Sequence, residues 1–277
     1  MTEHKDYTKI TQEYYDGIAH EMYVECWGGE NHHLGIFDET DDFYQAGRKS
    51  NEHLLSFLDT SPGCKILDLG SGLCGLPRFI ARRTGCHVTA LDLSRRENAY
   101  AVAKNREEGL EHLITVVEGS YNDMTFEDGA FDILVSQDAM LHSPDKKALL
   151  KGCARVLKKE GQFVFSDVLQ MPSITPGEAE VINERVNAPY LATFDFYEEQ
   201  LRRAGFTVEN IVDLGNVNLG KSYQAAHDNL INKKEYLMEE RNVPEEWIDN
   251  YLNSLRFWVE KAFENKLGWG LFAARRL

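Results

Sequence analysis

A carboxylate and an imidazole stand four residues apart in Asp138-Ala139-Met140-Leu141-His142. On a helical turn that spacing puts both on one face, within hydrogen-bonding reach. His142, with an ordinary pKa near 6.5, would then be a candidate general base oriented by Asp138. The plainer alternative is that His142 only closes a strand–helix connection ahead of Pro144. A metal centre is not expected, because no third ligand is evident beside the pair.

A second constellation lies upstream, in Ile66-Leu67-Asp68-Leu69-Gly70-Ser71-Gly72-Leu73-Cys74-Gly75. An apolar run delivers its carboxyl end into a turn where Gly70 and Gly72 let backbone approach a ligand closely. Asp92 ends the next apolar run, where a carboxylate can accept both hydroxyls of a ribose. The glycine spacing alone also fits a dinucleotide loop or a ligand-free turn. Asp68 separates the two nucleotide readings. A carboxylate two residues before the first glycine would repel a pyrophosphate, whereas S-adenosylmethionine (SAM) carries no phosphate and offers an ammonium for Asp68 to neutralise. Charge complementarity therefore favours SAM over NAD(P).

The elements that must position these groups alternate. Strands are expected over 65–69, 87–92, 114–117, 131–136, 162–168, 207–212 and 269–274. Helices are expected over 75–84, from the Ser94 cap to 108, over 146–157 and over 196–204. That rhythm predicts an α/β fold with a doubly wound, mostly parallel sheet, and with the run 269–274 as a last strand the expected whole is a seven-stranded mixed sheet. Residues 1–60 form an N-terminal helical cover, 61–220 the cofactor-binding core, 221–266 a helical lid inserted before the last strand, and 267–277 that strand.

The segment Asp68-Leu69-Gly70-Ser71-Gly72 resembles the first motif of class I SAM-dependent methyltransferases, and the later motifs follow in order. Val117-Glu118-Gly119-Ser120-Tyr121 falls where that family contacts adenine, with Ser120 and Tyr121 in place of the frequent acidic residue. Phe131-Asp132-Ile133-Leu134-Val135-Ser136-Gln137 resembles the fourth strand, with Gln137 near the methionine end. The resemblance implies cofactor contacts from Asp68, Gly70, Gly72, Asp92, Leu93, Ser120, Tyr121 and Gln137. Tyr15, Tyr23, Asp138, His142 and the ending Gly268-Trp269-Gly270-Leu271-Phe272 are similar to small-amine N-methyltransferases: the phosphoethanolamine enzymes and, more closely, the sarcosine/dimethylglycine enzymes that make glycine betaine. That resemblance implies a tyrosine–histidine pair, Tyr15 and His142, closing the site. The segment 27–35 also resembles cyclopropane-fatty-acid synthases, but an acidic surface and a polar lid argue against acyl chains.

A methylated amino acid has a cationic end and an anionic end. Tyr23, Trp27 and Trp269, with Tyr15, are candidate aromatic walls for the cation, and Arg185 is the candidate partner for the carboxylate, against a reading as a solvated helix arginine. Rival functions are another small-nucleophile methyltransferase, an NAD(P) oxidoreductase, and a SAM-binding protein without turnover.

Bulk properties narrow the partners. With 30 Lys and Arg against 45 Asp and Glu, the formal charge of −15 disfavours nucleic acid and anionic membrane. The partner is expected to be a small molecule, with self-association possible. Five cysteines, an odd number without C-x-x-C spacing, argue against a zinc site or disulfide framework and are read as reduced thiols. The start Met-Thr-Glu-His-Lys-Asp lacks an apolar signal core, which points to a cytoplasmic chain.

Overall fold

The computed structural model describes residues 6–27 and 29–277. Three helices come first: α1 (Tyr7–Asp16), α2 (Ala19–Cys26) and α3 (Phe43–Leu55). The alternating core follows as β1 (Lys65–Leu69), α4 (Gly75–Thr84), β2 (His87–Asp92), α5 (Arg95–Glu107), β3 (Ile114–Glu118), β4 (Phe131–Gln137), α6 (Lys146–Val156) and β5 (Leu157–Gln170). Then come α7 (Pro176–Arg185), α8 (Phe194–Arg203), β6 (Phe206–Asp213), the long hairpin α9 (Asn216–Glu240) and α10 (Glu245–Phe263), and β7 (Leu267–Arg276).

The seven strands form one sheet in the order β3-β2-β1-β4-β5-β7-β6. β1 to β5 run parallel, and β7 pairs antiparallel with both β5 and β6. Chain order reverses between β1 and β4, the crevice where open parallel sheets bind ligands beyond their carboxyl ends. Strand side chains alternate between two cores: Ile66, Val88, Ile133 and Val164 pack on one face, Leu67, Leu69, Leu134 and Phe163 on the other. Local chemistry sets the helix starts. Ser94 accepts from the Glu97 amide at the head of α5, and Thr175 with Glu178 forms a capping box on α7.

The fold matches the expected mixed sheet, with three differences. The helical insertion begins at Asn216, five residues before the expected bound, because Gly215 (φ +85°) turns the chain directly out of β6 into α9. α7, on the connection after β5, is not among the helices with expected bounds, although the alternative reading of Arg185 already puts that residue on a helix. Its apolar positions are few, and its start is set by the cap.

The third difference concerns the thiols. Cys26, Cys74 and Cys153 are free and buried, but Cys64 and Cys86 are joined in a disulfide, their Cα atoms 5.2 Å apart. Parallel pairing of Lys65 with His87 puts the two preceding cysteines side by side, a proximity that exists only once the register is known. None of the described helices is long and apolar enough to cross a membrane.

The N-terminal segment and the α9–α10 hairpin cover the carboxyl ends of the strands together. The amides of Gly35 and Phe37 donate to Ser222 Oγ and Asn218 Oδ1 of α9, both at 2.9 Å. Glu25 of α2 pairs with Lys233 at 2.9 Å and Arg241 at 2.7 Å.

Candidate functional site

The turn after β1 is built for close approach. Gly70 sits at φ +74°, and a Cβ there would stand 2.5 Å from Ala139 Cβ. Gly72, at φ +49°, donates its amide to Asp92 Oδ2 at 2.9 Å, while the other Asp92 oxygen accepts from the Ser94 amide at 2.8 Å. These bonds aim the carboxylate into a cavity lined also by Thr11, Tyr15, His32, Leu93, Glu97, Tyr121, Gln137, Asp138 and His142. Asp68 is buried beneath the adjoining hollow, beside Ser71 and Gln137. Burial, reinforced by the Asp92 charge, pushes its pKa up to about 8.

Several buried polar atoms in these walls have no hydrogen-bond partner, among them Thr11 Oγ1, His32 Nε2, Ser71 Oγ, Glu97 Oε2 and Gln137 Oε1. Such atoms are costly unless a ligand satisfies them. A molecule with a ribose, an adenine and an ammonium fits this set of acceptors and donors. Glu97 was hidden in the sequence because Ser-x-x-Glu reads as a helix cap. In the fold its Oε1 pairs with His20 Nδ1 at 2.6 Å and its Oε2 lies 3.5 Å from His32 Nδ1. Tyr121 lines the cavity with its hydroxyl on the Ala139 carbonyl at 2.8 Å. Ser120 does not line it, contrary to expectation: its hydroxyl caps the turn Tyr121–Asp123 through the Asn122 amide.

The expected Asp138–His142 hydrogen bond is absent. Asp138 adopts φ +53°, which ends β4 in a left-handed kink, so the segment never forms the α-helical turn that an i, i+4 contact requires. Its carboxylate accepts instead from the Leu34 amide (2.9 Å), Ser166 Oγ (2.8 Å) and Trp269 Nε1 (2.8 Å). Trp269 is fully buried outside the cavity and supports Asp138, a correction to its expected role as a cation wall.

His142 lies on the short 3-10 turn Met140–His142, its Nε2 3.2 Å from the Tyr15 hydroxyl. Nδ1 is buried and closes no well-formed hydrogen bond, although the Val186 backbone favours the charged form slightly. Burial outweighs that, with help from the Lys146 and Arg185 charges, and lowers the imidazole pKa to about 4. The imidazole is therefore neutral at pH 7.

Tyr15 and His142 also border a second hollow, with Tyr14, Tyr23, Trp27, His33, Asp138, Arg185 and Tyr223. Its aromatic walls interlock: Tyr15–Tyr23 centroids are 5.4 Å apart, Tyr23–Trp27 5.2 Å and Trp27–Tyr223 5.4 Å. Arg185 is not a solvated helix residue. Its guanidinium lies 4.9 Å from the Tyr251 ring centroid, 5.1 Å from Trp258 and 5.7 Å from Tyr223, and it donates to Tyr251 Oη at 3.0 Å. Arg185 Nε is buried without a partner, a charged donor left for an anion. Tyr223, Tyr251 and Trp258 come from the hairpin, so sequence adjacency could not connect them to Arg185.

α1 joins the two hollows. Gln12 Nε2 donates to the Leu93 carbonyl at 3.0 Å, and Asp16 accepts from Ser94 Oγ at 2.7 Å and the Arg96 amide at 3.1 Å, which sets Tyr15 between cofactor turn and His142. A wider hollow of about 770 Å³, bordered by Phe43, Tyr44, Lys221 and Asp228, gathers no comparable set of groups.

Comparison with known proteins agrees with this geometry. Residues 67–165 match the family described as Methyltransferase domain. The chain is 34% identical to the sarcosine/dimethylglycine N-methyltransferase of Halorhodospira halochloris over 271 residues, 97% of this chain and 96% of that protein. It is 30% identical to the enzyme of the same name from Aphanothece halophytica, covering 98% of each. Among solved structures, a candidate sarcosine dimethylglycine methyltransferase from Galdieria sulphuraria superposes with a TM-score of 0.87 at 28% identity, covering 95% of this chain and 98% of that one. Glycine turn, strand-end carboxylate in the cavity and full-length similarity converge: the chain belongs to the SAM-dependent methyltransferases, in the family of the sarcosine/dimethylglycine N-methyltransferases.

Proposed function

We propose that this enzyme methylates the nitrogen of sarcosine and of dimethylglycine, giving glycine betaine. The observation that carries the reading is Arg185, whose Nε is buried without a partner, lining the same aromatic hollow as the Tyr15–His142 pair. A carboxylate on Arg185 would place a short amino acid's nitrogen toward Asp138 and the cofactor cavity. Asp138 borders both hollows. The names of the full-length relatives point to the same substrates. Phosphoethanolamine is served less well, because Arg185 is the one permanent cation among the lining residues.

When bound, SAM supplies a methyl group on a sulfonium, an electrophile that needs no acid. The residues of this chain then have three tasks. Asp68 meets the cofactor's ammonium, and Asp92, with Glu97 beside it, meets the ribose. Tyr15, held by His142, and the Tyr23 and Trp27 faces exclude water and align the amine. Asp138 and the aromatic faces would stabilise the positive charge that passes from sulfur to nitrogen when the methyl group exchanges its C–S bond for an N–C bond.

His142 is not the resting place of the amine's proton. A pKa of about 4 makes holding a proton at pH 7 cost about 4 kcal/mol. The amine would instead leave its proton in water on entering the site, where the sulfonium disfavours a second cation nearby before transfer.

Choline and betaine share a trimethylammonium group and differ in the carboxylate, so they test the Arg185 role directly. Calorimetric titration of the enzyme saturated with demethylated cofactor should show betaine binding at least about ten-fold tighter than choline, the value of one charged hydrogen-bonded contact. Equal affinities would remove the case for an amino-acid substrate.

A further inference from the structure

Lys146 is fully buried, yet neither hollow is lined by it. It stands at the first position of α6, directly after the Asp145 cap, and lysines are rarely buried without a partner. Its Nζ donates to three backbone carbonyls: Leu141 at 3.0 Å, Ser143 at 3.2 Å and Tyr190 at 3.0 Å. All three ammonium donors are thereby used. The ammonium also lies 4.2 Å from the Tyr190 ring centroid. On the other side of the same turn, Asp167 accepts the Leu141 amide at 3.2 Å and the Tyr197 hydroxyl at 2.5 Å.

The first two carbonyls belong to the turn that carries His142. The third lies in the short connection from Arg185 to α8. One head group thus ties the part of the site that meets the amine to the part that meets the carboxylate. We infer that Lys146 is a positioning residue that fixes the separation of His142 and Arg185 and so sets the length of amino acid the site accepts. The inference rests on the amino-acid reading given above. An apolar side chain at 146 would fill the space but leave the three carbonyls, two of them buried, unjoined. A planar guanidinium could not reproduce three bonds diverging from one nitrogen.

The test compares Lys146→Met and Lys146→Arg with the wild-type full chain on N,N-dimethylglycine and on N,N-dimethyl-β-alanine, which is one methylene longer. One methylene in a fitted pocket is worth about 10–200-fold, so wild-type kcat/KM should favour the shorter acid by at least about ten-fold. Either variant should reduce that preference by about five-fold or more, through a raised KM for the shorter acid. Affinity for the demethylated cofactor should stay within about three-fold of wild type. General damage to the fold would lower both substrates together and leave the ratio alone. Hydrogen exchange in the complex with demethylated cofactor reads the tie without any amine: residues 139–143 and 186–192 should both exchange faster in the variants, with β1 and β4 unchanged.

An unchanged substrate ratio in a variant that still binds the cofactor product overturns the length assignment. Unchanged exchange in both segments overturns the tie itself. Should wild type use neither acid, the amino-acid reading falls, and the exchange result still decides whether Lys146 joins the two segments. Where Lys146→Met does not fold, Lys146→Arg carries both comparisons.

Discussion

Asp68 and His142 are pushed away from their ordinary titration ranges in opposite directions, and each direction has a consequence. Asp68, raised to about 8 by burial and the Asp92 charge, is mostly protonated at pH 7 before the cofactor arrives. The cofactor's ammonium favours the carboxylate, so binding should release a proton, and affinity for the demethylated cofactor should rise with pH up to about 8. Calorimetry in buffers of different ionisation enthalpy measures that proton. Asp68→Asn should abolish the release, and an identical release from the variant would sink the assignment. For His142 the shift runs the other way, to about 4. The profile of kcat/KM should therefore climb through neutrality toward the amine's own pKa with no inflection near 6.5. His142→Ala should keep that limb and lose less than about 10²-fold in kcat, below the usual range for a general base. A larger loss together with a vanished limb would make His142 the base after all. The placement of Asp68 and Asp92 at the cavity was legible at this scale because both lie at the carboxyl ends of strands. The partner of His142 was half legible. Tyr15 was proposed from resemblance, whereas Asp138 was misjudged because a left-handed residue at 138 cannot be read from spacing.

At the scale of elements, the α9–α10 hairpin supplies Tyr223, Tyr251 and Trp258 to the box around Arg185, and on the reading proposed above it covers the carboxylate end of the substrate site. A closing element should be the less stable part of the molecule until its ligands are bound. Hydrogen exchange over residues 216–263 should slow when demethylated cofactor and betaine are both present, and change little with cofactor alone. An unchanged profile with both ligands would leave the hairpin as static cover. The helical character of this block was legible, because its aromatic residues recur among charges. Its contact with Arg185 was not, since that contact depends on α7, an element whose weak apolar pattern gives no warning of it.

For the whole molecule, the βαβ rhythm made a mostly parallel sheet legible but not its strand order, and the antiparallel last strand is accommodated between β5 and β6. The disulfide needed the β1–β2 register and lay beyond what cysteine count and spacing could reveal. Similarity over nearly the full length of the relatives agrees with a fold whose N-terminal helices, core and hairpin all border one site. The most direct measurement is methyl transfer from labelled SAM to a panel of glycine, sarcosine, dimethylglycine, phosphoethanolamine and choline precursors lacking a carboxylate. Label should pass to sarcosine and dimethylglycine, with betaine as the end product and NAD(P) without effect. Transfer to phosphoethanolamine or to carboxylate-free amines, with sarcosine and dimethylglycine untouched, would contradict it.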